Sequence, residues 1–222
     1  VSIKNNLHSI LQSFPDNVQL VAVSKTKPAS DVLEAYNAGQ RIFGENKIQE
    51  MVEKYEQLPK DIQWHMIGHL QSNKVKYMAG FVNLIHGVDS FKTLKEINKQ
   101  GLKNNRIINC LLQLKIAKED TKFGFSFTEV DQLLESTAFE SLKNIQILGF
   151  MGMATFTNDE NIVREEFRSL KNYFEASKKY SSFNFNPTQL SMGMSDDYKI
   201  AIEEGSTMIR IGSAIFGNRN YI

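Results

Sequence analysis

Apolar residues along this chain follow two alternating rhythms. Short runs rich in Val, Ile, Leu and Phe occur at 19–24, 41–43, 64–67, 83–88, 107–114, 145–150, 188–191 and 208–211, and their length and composition predict eight strands. Between them, apolar positions fall three and four apart, as in Ile48, Met51, Val52 and Tyr55, in Phe91, Leu94 and Ile97, and in Val163, Phe167, Leu170 and Phe174. That spacing puts each set on one face of a helix. Ile3, Leu7, Ile10, Leu11 and Phe14 predict an additional N-terminal helix that Pro15 stops. The stretch SSFNFNP at 181–187 reads as a loop before the seventh strand.

Buried strands alternating with amphipathic helices predict the α/β class. Eight such units give a (β/α)8 TIM barrel with the extra N-terminal helix, and an open doubly wound sheet is the alternative. No linker, repeat or low-complexity stretch interrupts the alternation, so one domain is expected over 1–222.

Composition narrows the partners. With 222 residues and 41% hydrophobic content, the chain can bury a sizeable core. Lys plus Arg number 26 against 25 Asp plus Glu, a formal charge of +1, which gives no global attraction to nucleic acid or membrane and points to a small ligand. Cys110 is the only cysteine, so no intrachain disulfide forms, and its place in the apolar run IINCLLQL marks an inert core thiol. The start VSIKNNLHSI lacks the features of a signal peptide, and no apolar run approaches the roughly 18 residues of a membrane span. A soluble, cytoplasmic protein is expected.

Barrel geometry places chemistry at the carboxyl ends of strands. Lys25 stands there after the first strand and shares its parity with Val21 and Val23, consistent with a side chain entering the barrel mouth. Lys27 competes, although Pro28 indicates that the strand has ended by then. The last strand carries Arg210 near its end and runs into a small-residue turn at Gly212 and Ser213. If first and last strands are neighbours, Lys25 faces that turn. Before it, SMGMS at 191–195 combines a tight turn at Gly193 with the Ser195 hydroxyl and a helix start, which suits a phosphate. Plain capping of that helix by Ser195 or Asp196 is the alternative, and Asp196 and Asp197 must point outward for an anion to bind. A lysine, an arginine and a phosphate cup together suggest pyridoxal 5'-phosphate (PLP), whose aldehyde forms a Schiff base with a lysine amine.

His65 and His69 are four apart, but WHMI reads as a strand and the Glu of a zinc-binding HExxH helix is missing. They are expected at the pocket mouth or in a loop. Gln71, Asn73 and Lys74 follow at the start of a third helix, placed for capping, a loop contact or proximity to the cofactor.

These segments resemble the pyridoxal phosphate homeostasis (YggS/PROSC) family, which shares the barrel of the alanine racemase N-terminal domain. The matching strings are AVSKTKP at 22–28, FGENKIQE at 43–50, WHMIGHLQSNK at 64–74, SMGMSDD at 191–197 and EGSTMIRIGSAIFG at 204–217, with KEDTKFG at 118–124 and GFMGM at 149–153 as weaker matches. The resemblance implies that Lys25 is the PLP lysine and that Asn46 sits near the cofactor after the second strand. It further implies that Ser195, Gly212 and Ser213 hold the phosphate, with Met194 beside them, and that Arg210 meets the pyridine nitrogen. Two departures stand out: Lys115 puts a charge where an amide is usual, which is expected to alter pocket electrostatics, and Phe150 is larger than the usual residue.

By the same resemblance the chain is a carrier or regulator of PLP supply without classical turnover, whose partners are PLP and apo PLP enzymes and which acts as a monomer. The alternative is a PLP-dependent amino-acid racemase or lyase. Alanine racemases with this barrel add a β-domain and take a tyrosine base from the partner subunit, whereas this sequence ends at Ile222 after the eighth unit, and Tyr221 is too near the end to be a well-positioned substitute.

Overall fold

In a computed structural model, which describes residues 2–118 and 123–217, eight parallel strands close into a barrel in sequence order. They are β1 (Gln19–Val23), β2 (Ile42–Glu45), β3 (Gln63–Met66), β4 (Leu84–Val88), β5 (Ile108–Gln113), β6 (Ile145–Met151), β7 (Phe185–Ser191) and β8 (Met208–Ile211). Closure is made by β1 on β8, with Val21 opposite Arg210 and Ala22 opposite Ile211. The open sheet is thereby excluded. Helices α1 (Ile3–Leu11), α2 (Ala29–Asn37), α3 (Ile48–Gln57), α4 (Phe91–Lys103), α5 (Phe127–Leu134), α6 (Thr137–Glu140), α7 (Glu160–Ser177), α8 (Tyr198–Glu203) and α9 (Ser213–Phe216) accompany the strands.

Strand parity sorts the apolar residues into two cores. One parity points inward, where Val21, Leu84, Leu111, Met151 and Met208 pack on one another. The other parity faces the helices, with Phe43, Trp64, Ile85, Leu112, Phe150, Leu190 and Ile209 completely buried. Phe150 meets Tyr173, Phe174 and Phe185 there, so its bulk fills the sheet–helix layer and not the barrel mouth. Cys110 belongs to the same layer, and burial raises its thiol pKa, as expected of an inert core residue.

Local chemistry sets several helix starts. The Ser90 hydroxyl accepts from Thr93 N before α4, and Ser126 with Glu129 forms a reciprocal capping box at α5. The additional N-terminal helix is present as α1, which packs on α2 and α9; Asn6 Nδ2 donates to Ile215 O at 2.9 Å. No described helix is long and apolar enough to cross a membrane.

Three expectations are corrected. The second strand extends through Gly44 and Glu45, because Glu45 is buried against a lysine and so escapes the polar-outside pattern. The stretch at 181–187 is only half a loop: β7 begins at Phe185, and Pro187 is tolerated beside a register shift between the Ile147–Phe185 and Gly149–Gln189 pairs. Instead of a third α-helix, Ser72–Tyr77 forms a 3₁₀ turn after β3. Tyr221 lies outside the described residues.

Candidate cofactor site

A cavity of about 410 Å³ opens at the carboxyl ends of the strands. Lys25, Asn46, Met194, Ser195, Arg210, Gly212 and Ser213 all line it, so residues that stand far apart in sequence converge at one place. Val23 lines it as well and Val21 lies in the inner core, which fixes the inward parity expected for β1.

Lys25 sits just past β1, in a tight turn closed by Lys27 N donating to Ser24 O at 3.1 Å. Thr26 in that turn has φ +64°, an unfavourable conformation for a β-branched residue. The Ser24 hydroxyl donates to Glu45 Oε1 at 2.6 Å, and Ser24 N donates to Gly44 O at 3.0 Å. Lys27 also reaches the rim, where its Nζ donates to Phe216 O at 2.9 Å.

On the opposite side of the β1–β8 seam, the ladder continues beyond β7: Arg210 N donates to Gly193 O at 3.0 Å. Gly193 has φ +96°, and a Cβ there would meet the Ala201 Cβ at 2.6 Å, so the turn requires glycine. This turn brings the Ser195 hydroxyl to 3.3 Å from the Ser213 hydroxyl. Between them and β1, Gly212 leaves space that a side chain would fill, since a Cβ would lie 3.1 Å from Val23 O. Two facing hydroxyls beside the first turn of α9, whose leading amides have no acceptor within the helix, form a donor set suited to a phosphate.

The capping alternative for Ser195 or Asp196 is not what forms. Asp197 occupies the cap position of α8 without capping it, and its carboxylate accepts from Met194 N at 2.6 Å instead. Burial raises the Asp197 pKa, with the Met194 amide and Arg210 pulling it down. Asp197 is therefore turned away from the cavity, while Asp196, which borders the cavity, is exposed to solvent.

Arg210 is buried at the cavity wall. Its Nη1 donates to Ser191 Oγ at 2.6 Å and its Nη2 to Gly152 O at 3.2 Å. Burial pushes the guanidinium down to about 10, against the pull of Asp197, and it remains a cation at neutral pH. Behind it, Ser191 Oγ lies 3.0 Å from His86 Nδ1, and His86 Nε2 lies 3.0 Å from His65 Nδ1. Arginine only donates, so Ser191 accepts from it; its own O–H then donates to His86 Nδ1, and His86 Nε2–H donates to His65 Nδ1. Both imidazoles are neutral. Burial pushes His65 down to about 4, and burial together with the neighbouring His65 and Arg210 holds His86 well below 6.5.

His65 is therefore corrected from a mouth or loop residue to an interior one, because its strand parity points into the barrel. His69 does line the mouth; its Nδ1 lies 3.1 Å from Asp89 Oδ2 and its ring stacks on Phe123. Gln71, Asn73 and Lys74 are outside the lining, in or beside the 3₁₀ turn. Lys115 is exposed and also outside it. Gln113, two residues earlier, faces the cavity in its place and donates to Phe123 O at 3.0 Å. Of the weak match at 118–124, residues 119–122 lie outside the described residues.

Sequence reasoning missed Ile67, Gly68, Gln113, Phe123 and Met153 as lining residues. The strand-end rule applied to β3, β5 and β6 would have pointed to most of them; attention to chemically conspicuous side chains passed them over.

Comparison with known proteins identifies the family of the chain. The family described as alanine racemase, N-terminal domain, matches residues 1–220. A pyridoxal phosphate homeostasis protein of Aquifex aeolicus is 40% identical over 204 residues, 91% of this chain and 88% of that protein. Another, of Haemophilus influenzae, is 39% identical over 236 residues, covering 100% of this chain and 98% of its own length. Among solved structures, PipY of Synechococcus elongatus is 34% identical and superposes with a TM-score of 0.91 without PLP and 0.85 with PLP bound, covering 97% of this chain and 100% of its own. The chain belongs to the alanine racemase N-terminal domain family and, within it, to the pyridoxal phosphate homeostasis proteins.

Proposed function

We propose that this chain binds PLP in the cavity at the strand ends and serves intracellular PLP homeostasis as a carrier or regulator, without classical turnover. The observation that carries the reading is the convergence of Lys25, Arg210 and the Ser195–Ser213 hydroxyl pair on one cavity. Its donor set matches the group: an amine for the aldehyde, a fixed cation for the ring, and hydroxyls with a glycine-cleared space for the phosphate. The PLP-bound structure of PipY supports the assignment.

When bound, PLP supplies an aldehyde for covalent capture by an amine and a ring that withdraws electrons. Lys25 is the residue that would hold the aldehyde. Ser195, Ser213 and Gly212 would hold the phosphate, with Met194 and Asn46 walling the same space. Arg210 would face the ring nitrogen, and because it only donates, a nitrogen set against it stays unprotonated. That arrangement weakens the electron sink on which carbanion chemistry depends, which suits a protein that only holds the group or a racemase with a brief carbanion. Residues 1–222 then form one PLP-binding barrel, acting as a monomer in the cytoplasm with apo PLP enzymes as recipients.

The test combines three measurements on the purified protein. Borohydride reduction followed by peptide mapping should label Lys25; a label on Lys27 or Lys74 refutes the assignment. Transfer of PLP to an apo-enzyme should be measurable, while exchange of amino-acid α-protons in deuterated water should be negligible. Turnover near about 1–10³ s⁻¹ would establish an enzyme instead.

A further inference from the structure

The motif FGENKIQE contributes Asn46 to the cavity, but its two glutamates have no part in the site described so far. Glu45 is completely buried at the end of β2, and its partner Lys54, on α3, is buried with it. Such a pair is costly to desolvate, and apolar side chains of similar volume commonly serve packing as well. The reason for the charges lies in their other contacts.

Lys54 Nζ makes three donations: to Glu45 Oε1 at 2.6 Å, to Glu50 Oε1 at 2.8 Å and to the backbone oxygen of Ser24 at 2.7 Å. Glu50 Oε1 also accepts from the backbone N–H of Thr26 at 2.6 Å, and Glu45 Oε1 accepts from the Ser24 hydroxyl at 2.6 Å. All three ammonium protons of Lys54 are thus committed, and every other bond of the cluster ends on Ser24 or Thr26. Those are the residues on either side of Lys25. The left-handed conformation of Thr26, which strains a β-branched residue, sits where Glu50 grips its amide.

We propose that Glu45, Lys54 and Glu50 are positioning residues that clamp the backbone on both sides of Lys25 and so aim its amine into the cavity. The inference rests on the reading of Lys25 as the PLP lysine. Attachment at Lys25 Nζ forms one C=N bond to the aldehyde carbon and releases one water, so it depends on where the amine is held. Phosphate and ring contacts, made from β7 and β8, do not depend on the clamp.

Two probes separate these contributions. PLP reads attachment together with cup binding; pyridoxine 5'-phosphate, which has an alcohol in place of the aldehyde, reads the cup alone. Glu50→Ala removes the acceptor of the Thr26 amide at a partly exposed site, and Glu50→Gln keeps an oxygen there. The Glu45→Gln/Lys54→Met double variant removes the buried charges together, and thermal unfolding checks that each variant is folded. Glu50→Ala and the double variant should attach PLP about tenfold more slowly or weakly, the scale of one lost hydrogen bond to a charged group, with pyridoxine 5'-phosphate affinity within about twofold of the parent. Glu50→Gln should recover most of the loss. Equal losses for both probes, or none for either, overturn the clamp. Borohydride labelling of the parent protein tests Lys25 separately, so a failure of that assignment is distinguishable from a failure of the clamp.

Discussion

Lys25 and Arg210, two of the cations that line the cavity, are held by opposite means. At the β1–β2 side, the backbone around Lys25 is gripped by a charged cluster of two carboxylates and an ammonium. At the β7–β8 side, Arg210 is gripped through its guanidinium by a serine and a backbone oxygen, with two neutral histidines behind the serine. The difference follows the work each cation has in the proposed function. An amine that forms a bond needs its backbone fixed while its side chain reacts. A guanidinium that only donates is best fixed through the side chain itself, and neutral partners leave its charge directed at the ligand.

The largest expected effect breaks the first side outright. Lys25→Ala should abolish borohydride-stable attachment of PLP while the protein still folds, because a side chain at the barrel mouth contributes little to the core. Absorbance after PLP addition and a melting curve check both parts. Retained attachment would move the chemistry to another lysine and end the comparison.

A second effect separates the charged side from the neutral one in stability. Lys54→Met alone leaves the buried Glu45 carboxyl without its ammonium partner, so that it must either stay ionised uncompensated or take up a proton, and should cost about 3–5 kcal/mol in urea unfolding, whereas the double variant with Glu45→Gln should cost clearly less. Ser191→Ala, which cuts the neutral chain, should cost about 1–3 kcal/mol. Comparable losses from Lys54→Met and Ser191→Ala would show that charge is not what distinguishes the two sides.

Much of this site was legible in the sequence, and the part that was not has a common cause. Strand-end position and small-residue turns identified Lys25, Arg210, Gly212 and Ser213, because those signals are local. His65, Glu45 and Lys54 were not placed correctly, or not noticed, because a polar residue in a strand or on a helix ordinarily faces water. Each is buried only because a partner distant in sequence meets it: His86 for His65, and Ser24 for the Glu45–Lys54 pair. Pairings of that kind have no periodicity to read. The barrel itself was legible from its alternation, while closure rested on the β1–β8 contact that only the fold supplies.

The two sides should also respond oppositely to pH. Burial pushes Glu45 up to about 7 from 4.5, against the pull of Lys54, so between those pH values the folded state holds a proton that the unfolded state has lost, and above about 7 the Glu45–Lys54 pair is ionised. Its stability contribution is fully present below 4.5 and is lost as pH rises towards about 7. His65 is pushed down from 6.5 to about 4, so its contribution is present above 6.5 and is lost as pH falls towards 4. Each swing is on the order of 3 kcal/mol, and in the parent protein they offset one another. Glu45→Gln removes the first and should leave stability falling more steeply on acidification between pH 6.5 and 4. An unchanged slope in urea midpoints across that range would take Glu45 out of the pH balance.

The smallest effect sharpens the comparison within the β7–β8 side. Ser195 and Ser213 present hydroxyls 3.3 Å apart, next to the amides that open α9, so a phosphate there would draw on several donors and no single one carries the site. Ser195→Ala should therefore weaken PLP binding by only about 1–2 kcal/mol, the scale of one hydrogen bond to a charged group, and pyridoxine 5'-phosphate should lose the same amount. Equal loss for the two ligands is the signature that separates this side from the clamp, where the ligand with the aldehyde alone is affected. Dialysis followed by absorbance or fluorescence titration measures it. If Ser195→Ala retains both ligands unchanged, the phosphate is held without that hydroxyl, and the division of labour between a β1–β2 side that attaches and a β7–β8 side that binds must be redrawn around Ser213 and Gly212.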